Sequence, residues 1–169
     1  MKVLSALTQA KLKELLHYEP ETGVFTWIES TSSRIKIGDI AGNKGVDGYI
    51  DIRIYGKLLR AHRLAYLYMT GEWPANHVDH INGIKHCNSW TNLRECTRSQ
   101  NLLNIGMRKN NKSGFKGVSW GNRDKKWRAQ AQLNGKHVSL GSYCSPELAS
   151  EAYQAFATEH HGEFFRATV

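Results

Sequence analysis

At 169 residues the chain can build one good core or two small ones, and two or three compact modules are expected. Lys and Arg number 23 against 15 acids, a formal charge of +8, and between residues 106 and 140 nine basic residues stand against one acid, Asp124, the electrostatic footprint of nucleic-acid binding or of a plain solvated basic face. The three cysteines form no Cys-x-x-Cys and no apolar run is long enough to span a bilayer, so a structural zinc site, secretion and a membrane span are disfavoured and a reducing cytoplasm is expected.

In chain order, Thr8 can cap a helix whose apolar positions Leu12, Leu15 and Leu16 recur at helical spacing, with Tyr18-Glu19-Pro20 stopping it. Val24 to Ile28 is a β-rich run, and residues 29 to 48 are polar and glycine-containing, a loop with at most one short strand. Ile50, Ile52 and Ile54 alternate on one face, and Tyr55-Gly56 offers a tight hairpin into Lys57-Leu58-Leu59-Arg60. Arg53, Lys57 and Arg60 are basic groups of this hairpin that phosphates would suit. Ala61 to Met69 returns to helical spacing and ends at Gly71, a C-cap position; His62 on it is assigned packing or capping.

Residues 77 to 104, HVDHINGIKHCNSWTNLRECTRSQNLLN, carry the chemistry. Asp79 and His80 are adjacent, so on extended backbone they point to opposite sides and suit two jobs rather than joint ligation of one ion. A hard cation such as magnesium needs little more than Asp79 and one amide oxygen, because it keeps several waters. His80 is then left to take a proton from water, as a neutral imidazole can near pH 7. Thr97-Arg98-Ser99-Gln100 fits a capping box, which starts a helix at Arg98 and places Asn101 in its first turn. Leu93 to Cys96 is expected to be a strand paired with the one ending at His80.

This segment resembles the HNH (ββα-metal) nuclease motif in the form found in phage-type homing endonucleases. The match runs through Asp79-His80-Ile81-Asn82-Gly83, Asn88, Asn92-Leu93-Arg94 and Gln100-Asn101. The resemblance extends upstream to His62-Arg63-Leu64 and Gly71-Glu72-Trp73-Pro74. It implies Asp79 and Asn101 as metal ligands, His80 as general base, Asn92 as the pin of the loop that orients His80, and Asn82-Gly83 as a tight turn. Magnesium or manganese is the implied cofactor, with no zinc. Cys87 stands where relatives usually carry an acid, which bears on hydrogen bonding inside the loop. His86 is an extra imidazole.

Arg108 to Gly114 is basic and amide-rich, a tether or a linker lying along DNA, with Arg108, Lys109 and Lys112 as its contacts. From Phe115 three short strands and a helix are expected. Trp127, Ala129, Ala131 and Leu133 face one way on the middle strand, while Lys126, Arg128, Gln130 and Gln132 face the other. Asn134-Gly135 signals a hairpin into Lys136 to Gly141, with Val138 and Leu140 inward and His137 and Ser139 outward. Ser145 caps a helix with Pro146 at its first position and an apolar stripe of Leu148, Ala149, Ala152, Tyr153, Phe156 and Ala157.

Residues 113 to 166 resemble the Apetala/ethylene-response-factor DNA-binding domain through Phe115-Lys116-Gly117-Val118, Trp127, Val138-Ser139-Leu140-Gly141, Ala149, Ala152 and Tyr153. By position the resemblance implies that Lys116, Arg128, Gln130, Gln132, His137 and Ser139 face DNA. The fold class expected is α+β. An N-terminal mixed region (1–76) precedes a nuclease motif (77–105), a basic linker (106–114) and a three-stranded antiparallel sheet packed on one helix (115–169). The expected function is a magnesium-dependent endonuclease of homing type acting on double-stranded DNA, as a monomer that nicks one strand. A DNA-binding regulator on a decayed nuclease scaffold and a structured-RNA nuclease are the competing classes.

Overall fold

The computed structural model describes residues 7–30, 32–104, 106–107, 110–133 and 135–165. The chain divides into two compact units, Met1–Cys96 and Thr97–Val169, a division that falls inside the segment 77–105. Both mix helices with small antiparallel sheets, an α+β chain with four helices among the described residues. No helix among those residues is long and apolar enough to cross a membrane.

In the first unit α1 (Gln9–Leu15) starts at Thr8, whose side chain accepts from the Lys11 amide. The helix stops three residues short of Tyr18. Leu16–Glu19 instead forms strand β1, antiparallel to β2 (Val24–Trp27), with Leu16 opposite Trp27. Leu16 and Tyr18 are buried and His17 and Glu19 exposed, a period-two pattern that the helical spacing of the preceding leucines masks in the sequence.

A second sheet runs in the order β3 (Asn43–Lys44), β4 (Ile50–Ile54), β5 (Lys57–Arg60). Its β4–β5 hairpin turns at Tyr55 and Gly56, both at positive φ (49° and 78°), the backbone that a two-residue turn of this twist requires. Helix α2 (Ala61–Thr70) follows and ends at Gly71, whose φ of 87° lets its amide close on the Leu67 carbonyl. Ile52, Ile54, Leu64 and Leu67 join Leu12, Leu16, Tyr18 and Phe25 in one buried cluster. Strands β6 (His77–His80) and β7 (Leu93–Cys96) pair antiparallel, and Val78 and Leu93 reach the same cluster.

The second unit opens with α3 (Arg98–Asn104), capped reciprocally as its sequence predicts: the Gln100 amide donates to Thr97 Oγ1 at 3.2 Å and the Thr97 amide to Gln100 Oε1 at 2.8 Å. Strands β8 (Val118–Gly121), β9 (Lys126–Leu133) and β10 (Lys136–Tyr143) form an antiparallel sheet with β9 central. One sheet face packs on α4 (Pro146–His161) through Val118, Ala129, Ala131, Ala149, Tyr153 and Ala157. A bulge between Ser139 and Gly141 shifts the β9–β10 register. Leu148 leaves the expected apolar stripe: at helix position N3 it is 44% exposed, and its amide is spent on the Ser145 cap. Gly117, at φ +74°, is pressed so closely on Tyr153 that a Cβ there would lie 2.1 Å from the ring.

Candidate active site

Asp79 and His80 close β6 and are both buried, at 7% and 4% exposure. The β6–β7 register sets Arg94 directly opposite Asp79, and its guanidinium donates to Asp79 Oδ2 from Nε at 3.3 Å and from Nη2 at 3.1 Å. A nearly buried carboxylate is thus charge-compensated across the strand pair. Asn101, the second expected ligand, sits in the first turn of α3, its amide bonded to the Thr97 carbonyl.

His80 Nε2 lies 3.0 Å from Asn88 Oδ1. The Asn88 amide nitrogen donates to the His86 carbonyl, which orients the amide so that its oxygen faces the imidazole. With that oxygen facing it, Nε2 is the ring nitrogen placed to donate to Asn88. Burial holds His80 below its ordinary imidazole value, against the opposing pull of the Asn88 hydrogen bond and the Asp79 charge. The ring is neutral at pH 7, the form a proton acceptor needs.

Asn92 pins the loop rather than touching the imidazole. Its oxygen accepts from the Asn82 amide (2.9 Å), and its nitrogen donates to Asn82 Oδ1 (3.1 Å) and the Cys87 carbonyl (2.7 Å). Asn82 Oδ1 also accepts from Ile84 N, and Gly83 turns at φ 68°, donating to the His80 carbonyl. Cys87 contributes its backbone carbonyl to this net, a bond that does not depend on its side chain.

A brace from the far N-terminus is not visible in the sequence. Tyr18 Oη donates to the Asn88 carbonyl at 2.6 Å, the Trp90 amide donates to the Pro20 carbonyl, and Gly23 (φ +75°) lies so close that a Cβ would sit 2.1 Å from Asn88 C. Asn88 is thus the residue that sequence reasoning matched but gave no role. One asparagine among several in a loop carries no signal of which one faces the imidazole.

Two further rings line His80. His62, from α2, meets it edge-on with centroids 5.1 Å apart, and Tyr49 approaches at 5.9 Å. His62 is 7% exposed and its Nδ1 has no hydrogen-bond partner, so it packs and does not cap. Burial, reinforced by the neighbouring His80 and cationic residues, pushes its pKa down to about 3 from 6.5. In the unfolded chain His62 takes up a proton below pH 6.5 that the fold refuses. Stability is therefore level above that pH and falls with acidification, at most by about 1.4 kcal/mol per pH unit from this one group. Melting curves between pH 7.5 and 5 should show a steeper acid decline for the wild type than for His62→Leu. Equal slopes would remove His62 as a source of the decline.

On the second unit, alternation brings Arg128, Gln130 and Gln132 onto the sheet face opposite α4, and the β9–β10 register sets His137 beside Gln132 and Ser139 beside Gln130. Arg128 is held in a fork by Asp124, with Nε to Oδ2 at 3.2 Å and Nη2 to Oδ1 at 2.9 Å, and Ser142 donates to the same carboxylate. Lys116 is placed differently: its ammonium donates to the Leu103 carbonyl at 2.5 Å and lies 5.8 Å from the centre of the Phe165 ring. Lys112 is exposed on a segment that Asn111 and Ser113 tie to Phe115 and Val118. Arg108, Lys109 and the turn residue Asn134 lie outside the described residues. In the hairpin of the first unit, Arg60 is engaged by Asp47 and Asp51, and Arg53 by the Gly56 carbonyl.

Comparison with known proteins places these residues in a family. Residues 59–103 match the family model described as HNH endonuclease. Protein 3.8 of Escherichia phage T7 is 31% identical over 111 residues, which are 65% of this chain and 91% of that protein. An uncharacterized HNH endonuclease, L560, of Acanthamoeba polyphaga mimivirus is 33% identical over 122 residues, 71% of this chain and 62% of that relative. No solved structure gives a significant match. Asp79, His80, Asn88 and Asn92, which build the buried strand-and-loop site, all fall within the matched residues: the chain carries an HNH endonuclease domain over residues 59–103 and is a nuclease.

Proposed function

We propose that the protein is a divalent-metal-dependent DNA endonuclease of homing type, with His80 as general base and Asp79 and Asn101 as the protein ligands of the ion. The observation that carries this reading is the buried His80 imidazole, its Nε2 3.0 Å from Asn88 Oδ1, beside Asp79 within the residues that match the HNH endonuclease model. A carboxylate and an amide oxygen are hard donors that suit magnesium or manganese. A bound ion would supply charge neutralisation at the scissile phosphate and stabilise the leaving 3′ oxygen.

The chain's own residues do the rest. His80 Nδ1 takes the proton of the attacking water, while Asn88 keeps the opposite nitrogen protonated and the ring from turning. Arg94 fixes the Asp79 carboxylate, and Asn92 holds the loop that carries Asn88. A monomer with one such constellation nicks one strand, giving a 5′ phosphate and a 3′ hydroxyl. Mapping the ends left on matched duplex DNA and RNA tests this reading: DNA nicked with those ends is expected, and a preference for cutting RNA would overturn it.

The C-terminal sheet is the proposed reader of double-stranded DNA, through Arg128, Gln130, Gln132, His137 and Ser139, with Arg108, Lys109 and Lys112 tracking phosphates. A sheet with one face covered by a helix leaves the other to enter the major groove. Gln130→Ala is expected to relax preference at one or two base pairs by about 1–3 kcal/mol and to leave the salt dependence of binding alone. A weakening equal for all sequences would mark Gln130 as a phosphate contact instead.

A further inference from the structure

The imidazole assigned as base is held on one side by the Asn88 amide and flanked by two rings, His62 and Tyr49, from outside the 77–104 segment. Tyr49 stands 5.9 Å from His80 and 5.2 Å from His62, which itself meets His80 edge-on at 5.1 Å, so the three rings are in mutual contact. Tyr49 is fixed from outside as well. The Arg60 guanidinium lies 4.8 Å from its ring centre and the Lys85 ammonium 4.9 Å. Both cations are tied to Asp47, Arg60 through its carboxylate at 2.7 Å and Lys85 through its carbonyl at 3.0 Å. Tyr49 is half-buried and lies outside the apolar cluster that stabilises the unit, so core packing does not account for this clamp.

We propose that Tyr49 is a positioning residue for the nuclease reaction: with His62 as its backstop, its ring confines the His80 imidazole to the orientation set by Asn88. The inference rests on His80 being the general base. A proton acceptor must hold its lone pair within hydrogen-bond reach of the attacking water, and rings packed against the imidazole limit its tilting in a way that an in-plane hydrogen bond to Asn88 does not. The Asp47–Arg60–Lys85 clamp gives Tyr49 the rigidity to do this, which also assigns the β3–β4 turn and the end of β5 a part in positioning the imidazole.

Tyr49→Leu, a change at a half-exposed position, is expected to lower kcat by about 10- to 100-fold while KM, duplex affinity and melting temperature stay near wild type. Tyr49→Phe keeps the ring and should retain wild-type kcat within about threefold. In a His80→Ala background Tyr49→Leu should lower the residual cleavage no further, because the ring acts through the imidazole. Unchanged kcat in Tyr49→Leu, or the same fractional loss with and without His80, would overturn the proposal. Full cleavage by His80→Ala alone would instead overturn the assignment of the base, so the two failures are distinguishable.

Discussion

Replacing His80 with alanine is expected to lower cleavage by about 10²- to 10⁴-fold, the usual contribution of a positioned general base, with little change in affinity for duplex DNA. The separation follows from geometry. His80 is 4% exposed and its Nε2 is held by Asn88, so it presents little contact surface to substrate. Asn88→Ala should reproduce part of the loss, because it frees the imidazole to take either tautomer, whereas Asn88→Asp keeps an acceptor facing Nε2 and should retain more activity. Single-turnover cleavage and binding measured in parallel would separate these effects, and binding that fell in step with cleavage would make His80 a ligand-contact residue and not the base.

The second large effect is expected at Asp79. Asp79→Asn preserves shape but removes the charge that would attract the ion, and should lower metal-dependent cleavage by at least about 100-fold. Asp79→Ala is a poorer probe. It also removes the oxygen to which the Arg94 guanidinium donates, and so disturbs the β6–β7 strand pair as well as the metal site. Calcium should support duplex binding by the wild type without efficient cutting, since its looser coordination places oxygen ligands less sharply than magnesium. Asp79→Asn activity that persisted at a normal metal requirement would move the ion elsewhere.

The sequence was most informative where local chemistry decides structure. The reciprocal cap of Thr97 and Gln100, the Tyr55-Gly56 turn and the alternation of β9 are each written in a few adjacent residues. What stayed illegible depends on partners distant along the chain. Tyr18 braces Asn88 across 70 positions, and neither residue type announces the bond. The sequence assigns His62 packing or capping, and that it packs on His80 follows only from where α2 sits against β6. Strand β1 was absorbed into α1 because Leu12, Leu15 and Leu16 satisfy helical spacing, while tertiary pairing with β2 decided the outcome. Charge was similarly ambiguous: Lys116 and Arg128 count alike in a basic patch, yet one donates to a backbone carbonyl and the other is forked by Asp124.

The most direct test of a metal-dependent DNA nuclease built on Asp79 and His80 is the fate of supercoiled plasmid bearing a target site. It would be incubated with purified full-length protein in chelator, in magnesium and in manganese, beside His80→Ala. The account predicts nicked circles in either metal, none in chelator, and at most a trace with the variant. Cleavage that survives chelation, or that proceeds undiminished without His80, would contradict it.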